Sequence, residues 1–389
     1  MLDHLSKIKQ SYSVAFADYV RSKELEGRKI VKMQTGDPDF KTHDLIVAAA
    51  QKALNAGDTK YCDSRGLITL RKAISEKLLI SNHIIADPQN NILVTHGAVH
   101  GICMAIRALV NPGDECIILE PYWRSYEANV ILAGGAPIIV KTNPSKQFQL
   151  ESAEILKKIT LKTRLIILNS PNNPSGAVYS PDELKSIAKI AAEKGIYIIS
   201  DEVYESIVFN GAFHYSIASD PAVFNMVISV FSFSKTHAMT GWRIGYLSAS
   251  KEVIDEIIKL SQFSITSLSP FSQKAALAAL QNTAAIGYSK MMSSEYENRR
   301  DFILKMIKGT WLEDFATIPL GTFYVLIDIS STGKKSLELA MQIVDDSNVS
   351  FTPGIAFGDS MDNYLRLCFA TSMENIEYAI NALLKLSRN

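Results

Sequence analysis

Between residues 92 and 247 the chain alternates short apolar runs with amphipathic segments. The runs are apolar at consecutive positions rather than at every second one, and they cover residues 92–95, 115–119, 137–140, 164–168, 196–200, 226–231 and 243–247. Continuous apolar strands are typical of a parallel sheet that is covered on both faces. Several intervening segments, such as residues 98–109 and 181–194, have helical spacing. The pattern therefore predicts an α/β fold, with a mostly parallel sheet sandwiched by helices.

The flanking regions have different patterns. Val14, Ala17 and Val20 indicate a helix in an N-terminal arm, and residues 45–54 and 67–79 are also helical in spacing. Helical patterns dominate residues 250–305, and a smaller α+β pattern follows, with strands at 322–327, 349–351 and 364–369 and helices at 337–346 and 373–386. We predict an N-terminal arm with part of a small domain (1–45), a large domain (46–285) and a small C-terminal domain (286–389).

Composition and charge indicate which kinds of molecule this protein binds. The 389 residues are 47% hydrophobic and 21% charged, and the formal net charge is zero, so no global charge favours nucleic acid or membrane as a partner. No run approaches the ~18 apolar residues of a membrane span, and the mixed-charge N-terminus does not have the pattern of a secretory signal. The four cysteines show no metal or redox spacing. We therefore expect a cytoplasmic protein that binds small molecules.

The stretch Ser232-Phe-Ser234-Lys235-Thr-His-Ala-Met-Thr-Gly-Trp-Arg243 lies between two of the predicted strands. A loop at the end of a buried strand is where α/β proteins place ligands. A lysine with a lowered pKa can form a Schiff base with a carbonyl, and the nearby hydroxyls and guanidinium are suited to a phosphate. The combination suggests pyridoxal 5′-phosphate. An ordinary solvated lysine in a polar loop is the alternative.

Other polar side chains follow neighbouring strands. Asp201 and Tyr204 come after the run 196–200; the aspartate is suited to a protonated pyridine nitrogen, and the tyrosine to a phenolic oxygen. Asn173, in a loop with two prolines and Gly176, could also bind such an oxygen, and Trp123 could stack on a flat ring. Each of these residues also has an alternative role: Asp201 as a helix cap, Asn173 as part of a plain turn and Trp123 as an ordinary packing residue.

Four further features carry weaker signals. Gly97-Ala98-Val99 begins a helix after a strand, which is a suitable anion site. His96 and His100 have i, i+4 spacing, but no third ligand is evident, so we favour ordinary polar contacts over a metal site. Arg366 lies inside an apolar strand and is a candidate carboxylate clamp, with a structural salt bridge as the alternative. Gly36 allows either a turn or a close backbone approach.

Taken together and in this order, these motifs resemble the class I/II aminotransferases, which are pyridoxal-phosphate enzymes of fold type I. The most specific pieces are Ser-Pro-Asn-Asn-Pro-Ser-Gly, Ser-Asp-Glu-Val-Tyr and Ser-Lys-Thr-His-Ala-Met-Thr-Gly-Trp-Arg-Ile-Gly-Tyr. The sequence around Pro121-Tyr-Trp123 is most similar to the bacterial aspartate aminotransferase branch. The resemblance extends from about residue 12 to the end of the chain, and residues 46–285 would form its cofactor-binding domain.

The resemblance implies a role for each matching residue. Lys235 would carry the cofactor and move the proton of the substrate, Asp201 would pair with the pyridine nitrogen, and Trp123 would cover the ring. Asn173 and Tyr204 would bind the phenolic oxygen. The phosphate would be held by Gly97, Ala98, Val99, Ser232, Ser234 and Arg243. Arg366, aided by the backbone of Gly36, would bind the substrate carboxylate. Tyr61 would reach the phosphate of a neighbouring subunit, which implies a homodimer with shared sites.

The resemblance also shows departures and leaves alternatives. Val99 stands where many relatives have lysine or another long polar residue, and His237 replaces a usual aromatic or small residue. No second cation that would bind a side-chain carboxylate can be assigned from the sequence, and of the candidates Arg65 and Arg124, which lie near the motifs, neither can be placed. We expect an aminotransferase with aspartate-type or broad specificity and ping-pong kinetics. A pyridoxal-phosphate β/γ-lyase or synthase, and a non-catalytic binding or regulatory protein, remain the alternatives.

Overall fold

The computed structural model describes residues 5–209 and 211–386. Its N-terminal region contributes the first helix to one hydrophobic cluster and the next two helices to another. Helix α1 (Tyr12–Leu25) and strand β1 (Val31–Lys32) come first, and helices α2 (Asp44–Asn55) and α3 (Ile68–Lys77) follow. In α1, Phe16 and Val20 are buried while Val14 is exposed, so the apolar face is rotated from the predicted one. A π-helical turn, Leu78–Asn82, extends α3.

A seven-stranded sheet forms the centre of the molecule. Its strands are β2 (Ile92–Thr95), β3 (Glu115–Glu120), β4 (Ala136–Lys141), β5 (Thr163–Asn169), β6 (Tyr197–Asp201), β7 (Val227–Ser232) and β8 (Gly245–Ser248). They lie in the order β2-β8-β7-β6-β5-β3-β4, and β8 runs in the direction opposite to the other six strands of this sheet. The predicted α/β class with a mostly parallel sheet is therefore confirmed. The connecting helices are α4 (Gly97–Leu109), α5 (Ser125–Leu132), α6 (Ser152–Leu156), α7 (Pro181–Lys194) and α8 (Phe233–Thr236).

Both faces of this sheet are buried. Ile117 of β3 and Ile166 of β5 point into one hydrophobic cluster, whereas Ile118 and Ile167 point into the cluster on the other side. Successive residues of a strand face opposite sides of a sheet. Apolar residues at consecutive positions are therefore what a sheet between two helical layers requires.

The chain ends in a second α+β region. Helices α9 (Lys251–Ser264) and α10 (Pro270–Gln281) precede it and belong to the hydrophobic clusters of the central sheet. Its own elements are α11 (Thr283–Ile307), β9 (Tyr324–Asp328), α12 (Ser336–Ser347), β10 (Val349–Ser350), β11 (Thr352–Pro353), β12 (Tyr364–Cys368) and α13 (Met373–Leu384). β11, β12 and β9 form an antiparallel sheet, and β10 pairs with β1. Of the predicted strand at 349–351, only Val349–Ser350 form β10, and β11 follows at Thr352–Pro353 in a different sheet.

One hydrophobic cluster joins the N-terminal arm to this C-terminal region. Phe16 and Val20 of α1 belong to the same cluster as Leu365 of β12 and Leu383 of α13. The arm therefore packs against the end of the chain, and this brings α1 to the rim of the cavity described below. Among the described residues, no helix combines the length and apolar character needed to cross a membrane.

Candidate active site

The carboxyl-terminal edge of the central sheet opens into a cavity of about 430 Å³. Strands β5, β6 and β7 end here with Asn169, Asp201 and Ser232, all of which line the cavity. Gly245 of β8 pairs with Ser232, so Arg243 enters at the same edge because β8 runs in the opposite direction. Ligands of open α/β sheets bind at this edge. The cavity lining includes every predicted site residue except Tyr61 and Gly97.

Lys235 lies in the short helix α8 rather than in the predicted loop. Its Nζ donates a hydrogen bond of 2.6 Å to the carbonyl oxygen of Gly36. Burial lowers the pKa of Lys235 to about 8, although the negative charge of Asp37 opposes this shift. A lysine with such a pKa is partly neutral near physiological pH, and the neutral amine is the nucleophilic form.

The carboxylate of Asp201 is buried at the end of β6. The hydroxyl of Tyr126 donates a hydrogen bond to Oδ2, and the backbone N–H of Val203 donates to Oδ1 at 3.3 Å. Burial raises the pKa of Asp201 to about 6, because the charged form is poorly solvated there. No lysine, arginine or histidine among the described residues forms an ion pair with it. A cationic ligand would supply the missing charge partner.

Arg366 is 4% exposed, and its guanidinium is held by neutral acceptors. Nη1 donates to Oδ1 of Asn173 at 3.0 Å, and Nη2 donates to the carbonyl oxygen of Gln34 at 2.7 Å and to Oγ1 of Thr352 at 3.1 Å. Nε is buried without a hydrogen-bond partner. No described carboxylate pairs with this arginine, so the structural salt bridge that the sequence left open is absent from the described residues. A cation buried in this way is suited to an anionic ligand.

Two tyrosines connect Arg366 with the end of β6. The hydroxyls of Tyr204 and Tyr324 lie 2.9 Å apart. The Arg366 guanidinium carbon lies 4.2 Å from the centre of the Tyr324 ring, which is a cation–π contact. Both tyrosines line the cavity. The hydroxyl of Tyr204 is therefore connected to Arg366 through Tyr324, and a polar atom of a ligand in the cavity could accept or donate a hydrogen bond there.

The opposite end of the cavity is suited to a phosphate. Ala98 and Val99 belong to the first turn of α4, whose free backbone N–H groups favour anions. Arg243 lies beside this turn without a carboxylate partner among the described residues, and Ser232 and Ser234 line the same end. A helix start, an unpaired guanidinium and two hydroxyls together make a strong anion site.

Glycine is required where α4 begins. Gly97 has φ of +74°, and a Cβ atom there would lie 2.5 Å from Nη2 of Arg243. Gly245 is similarly crowded, because its Cβ would lie 3.0 Å from the backbone nitrogen of Ala98. Gly97 therefore contributes by letting the guanidinium approach the helix start, although it does not itself line the cavity.

Trp123 and Tyr61 lie at very different positions. Trp123 lines the cavity at the start of the segment leading to α5, with 36% of its surface exposed. Tyr61 is 86% exposed and lies outside the cavity of its own chain. This position is compatible with the expected contact to a neighbouring subunit, but that contact stays a prediction.

The two candidates for a second cation are engaged elsewhere. Nη2 of Arg65 pairs with Asp255 at 2.6 Å. Arg124 pairs with Glu127 at 2.7 Å and with Asp359 at 2.6 Å. Neither arginine lines the cavity. Within the described chain the charges of both arginines are therefore compensated by local acids outside the cavity.

The histidines of the motifs also lie outside the cavity lining. The rings of His96 and His100 are 5.9 Å apart, and they belong to no described group of three or more possible metal ligands. Burial lowers the pKa of His100 to about 4 and that of His237 to about 4. Both imidazoles are therefore neutral at physiological pH, and His237 packs against Phe233.

A buried polar network supports the strand end behind Asp201. Nε2 of His214 lies 2.8 Å from Oε2 of Glu202, and the hydroxyl of Ser216 also donates to that oxygen. Glu202, Glu205 and His214 come within 4.8 Å of one another. Glu205 already pairs with Lys77 and accepts a hydrogen bond from Asn82. The group is thus better explained as a satisfied ion-pair network than as a metal site.

The cavity residues that were missed at the sequence level include Gln34, Tyr126, Asn169 and Tyr324. Asn169 accepts a hydrogen bond from the backbone nitrogen of Asn173 at 2.8 Å and donates to the carbonyl oxygen of Asp201 at 3.0 Å. Only Asn169, at the end of an apolar run, had a sequence signal that could have identified it. The others lie in segments whose proximity to the site depends on the tertiary fold.

Comparisons with known proteins agree with the family that the sequence motifs resemble. Residues 28–383 match the family model for aminotransferase class I and II. An aromatic-amino-acid aminotransferase 2 of Thermococcus litoralis is 37% identical over 92% of this chain and 91% of its own length. An aspartate aminotransferase of Pyrococcus abyssi is also 37% identical, over 93% of this chain and 92% of its own length.

Solved structures agree with the sequence matches. The structure of the aspartate aminotransferase of Thermus thermophilus with maleate superimposes with a TM-score of 0.94, at 34% identity, over 100% of this chain and 99% of that one. The structure of an aspartate aminotransferase of Thermotoga maritima superimposes with a TM-score of 0.92, at 30% identity, over 99% of both chains. The fold is therefore that of the fold type I transferases. The chain belongs to the class I and II aminotransferase family, and it is an enzyme that transfers amino groups.

Proposed function

We propose that this aminotransferase uses pyridoxal 5′-phosphate to move the amino group of an L-amino acid to a 2-oxo acid in two successive half-reactions. The observation that carries the proposal is the charge arrangement of the cavity. Arg243 and Arg366 bond only to neutral acceptors among the described residues, Lys235 lies in the same cavity with a lowered pKa, and Asp201 is a buried carboxylate without a cation. A cofactor with a phosphate and a basic ring nitrogen, together with a carboxylate substrate, would satisfy all four.

The phosphate end fits this cofactor. The first turn of α4, Arg243 and the hydroxyls of Ser232 and Ser234 would hold the phosphate. Gly97 and Gly245 leave the space that the helix start and the guanidinium need, since a Cβ at either position would crowd them. The dianionic group would then neutralise Arg243.

The ring end fits as well. Asp201 would hold a proton on the pyridine nitrogen, and Tyr126 orients the carboxylate for this contact. Asn173 and Tyr204 would bind the phenolic oxygen, and Trp123 would cover one face of the ring. When it is bound, the cofactor supplies an electron sink for negative charge that develops at the substrate Cα.

Lys235 acts as the base in this proposal. The neutral amine can take the proton from Cα of the amino acid and return it to the carbon on the other side of the substrate nitrogen, because burial lowers the pKa of Lys235 to about 8. The Gly36 carbonyl accepts a hydrogen bond from Nζ and so holds the amine at the cavity wall.

Arg366 would orient the substrate. Two parallel hydrogen bonds between a guanidinium and a carboxylate fix both position and plane. Asn173, Gln34 and Thr352 already hold the guanidinium in place. Positioning of this kind places Cα near the amine of Lys235, which is a large part of the rate enhancement available to an enzyme.

The assembly and location are part of the same proposal. Tyr61 is exposed and aromatic, and we propose that it binds the phosphate of a neighbouring subunit in a homodimer. The expected cytoplasmic location stays a prediction, and so does the division of the chain at residues 45 and 285.

Absorbance spectroscopy of the purified holoenzyme tests this function. Addition of a single amino acid without any acceptor is expected to shift the visible cofactor band to the near ultraviolet, with release of one 2-oxo acid per site. The Lys235→Ala variant is expected to lose the turnover. Product that accumulates catalytically while the visible band persists would indicate a lyase or synthase instead. A spectrum without a cofactor band, even after pyridoxal phosphate is supplied, would contradict the proposal.

A further inference from the structure

The described cavity lining contains three cationic side chains: Lys235, Arg243 and Arg366. Under the proposed function each has a ligand already, because the first binds the cofactor, the second the phosphate and the third the α-carboxylate of the substrate. Arg65 and Arg124 are paired with Asp255 and with Glu127 and Asp359 outside the cavity. No cation of the described lining therefore remains for a carboxylate in the substrate side chain.

The wall beside these groups is apolar. Phe16 and Ala17 of α1 line it from one side, Val99 and Ile102 of α4 from another, and Phe357 also contributes. Val99 is 46% exposed, so its two methyl groups offer free apolar surface next to the phosphate end. Binding of an apolar substrate side chain to such a surface is favourable because it removes apolar area from water. A charged side chain would lose its hydration there without gaining a partner.

The remaining charge in the lining is negative. Asp37 is exposed, lines the cavity, and has no ion pair or side-chain hydrogen bond with another described residue. Its charge reaches the active amine, since it opposes the lowering of the pKa of Lys235. An acidic side chain on the substrate would therefore enter a negative rather than a positive field.

We infer, on the basis of the proposed function, that the cavity selects amino donors with neutral apolar side chains, aromatic or long aliphatic, over aspartate and glutamate. The apolar wall formed by Phe16, Ala17, Val99, Ile102 and Phe357 binds the side chain. Asp37 and the absence of a free cation among the described lining residues disfavour acidic donors.

The first test measures the half-reaction of the holoenzyme with single amino acids. Rates of the absorbance change are compared for phenylalanine, leucine, aspartate and glutamate at matched concentrations. We expect the apparent second-order rate constants for the apolar donors to exceed those for the acidic donors at least tenfold, the range that side-chain contacts commonly provide. A wild-type preference for an acidic donor would overturn the inference and would mean that a cation from outside this lining reaches the substrate.

A pair of variants separates charge from size. Val99→Lys places a cation on the apolar wall and is expected to raise the rate constant for aspartate at least tenfold. In Val99→Met the methionine side chain is similar in length to lysine but carries no charge, and this variant is expected to keep the preference for apolar donors. An equal effect of the two variants on aspartate would contradict the assignment of Val99 to the side-chain wall.

Binding of unreactive acids gives a readout that does not depend on turnover. Calorimetry of the holoenzyme with 3-phenylpropanoate and with butanedioate compares an apolar and an acidic analogue of the same carboxylate. We expect the wild type to bind 3-phenylpropanoate more tightly and Val99→Lys to gain affinity for butanedioate. If no amino acid at all drives the half-reaction, the proposed function fails. If amino acids react but aspartate and butanedioate are preferred, only the selectivity is wrong.

Discussion

Asp201 is buried with the hydroxyl of Tyr126 as its side-chain donor, and no described cation compensates its charge. Burial raises the pKa of Asp201 to about 6, above the ~3.9 of an aspartate in an unfolded chain. An acid whose pKa is raised by folding holds its proton more tightly in the folded state. Stability of the cofactor-free protein therefore falls as the pH rises from about 4 to about 6, and the loss persists at higher pH.

The Asp201→Asn variant tests this balance. Without cofactor we expect it to be more stable than the wild type at pH 8, by on the order of 1–3 kcal/mol, because an uncompensated buried charge is removed. The difference should shrink toward pH 5. The same variant should bind pyridoxal phosphate more weakly, since its amide does not stabilise a protonated ring nitrogen. Urea denaturation at both pH values and a cofactor titration measure the two effects, and a less stable variant at pH 8 would contradict the account.

Arg366 offers a second prediction at the residue scale. Arg366→Lys keeps the charge but loses the planar pair of donors, so we expect kcat/KM for the amino donor to fall about 100-fold. Arg164→Lys is the matched control, because Arg164 also lies in a strand but bonds to the carbonyl oxygen of Leu109 away from the cavity. Steady-state kinetics of both variants measures the difference. Equal losses in the two would show that Arg366 has only a structural role.

The sequence identified residues that follow predicted strands better than those that come from distant segments. Lys235, Asp201 and Asn173 could be predicted because each follows an apolar run, and the ends of parallel strands meet at one edge. Tyr126 and Tyr324 could not be predicted. Their hydroxyls reach Asp201 and Tyr204 only after helix α5 packs on the central sheet and strand β9 of the smaller sheet packs against the segment that follows β6.

At the level of elements, the strand-to-helix connections form the phosphate end of the cavity. β2 leads directly into α4 through Gly97, and β7 leads into α8, which carries Lys235. The alternation of strands and helices was predictable from periodicity. The short α8 was not, because four residues are too few to show a helical repeat, and polar residues after a strand are equally compatible with a loop.

Gly97→Ala tests the connection between β2 and α4. A methyl group at a residue with φ of +74° is strained, and it would lie 2.5 Å from Nη2 of Arg243. We expect affinity for pyridoxal phosphate to fall at least tenfold, because the guanidinium is displaced from the helix start. Gly287→Ala is the control, since Gly287 lies in α11 with open space around it and should gain stability from the better helix former. Cofactor titration of the two variants measures the effect; unchanged affinity in Gly97→Ala would contradict it.

On the scale of the whole molecule, α1 packs with the C-terminal strands and helices and also borders the cavity. Phe16 belongs to the cluster that contains Leu365 and Leu383, and the same side chain lines the site. The contribution of α1 to both a core and a cavity was not evident from its spacing. The apolar positions of one helix do not reveal which distant element they will pack against.

Mixed oligomers test whether sites are shared between subunits. If Tyr61 acts on a neighbouring subunit, a heterodimer of Lys235→Ala and Tyr61→Ala chains contains one intact site and one doubly defective site. We expect it to recover about half of the wild-type activity per dimer, although each parent homodimer is impaired. Purification through two different tags isolates the mixed species for the assay. An activity no higher than the mean of the parents would contradict a shared site.

The most direct test of the central claim is the location of the cofactor. Borohydride reduction of the holoenzyme, digestion and mass spectrometry identify the residue that carries pyridoxal phosphate. We predict that the modified peptide contains Ser232 to Arg243, with the added mass on Nζ of Lys235, and that an amino acid supplied before reduction removes the label. A label on another lysine, or a label at Lys235 that no amino acid removes, would contradict the account.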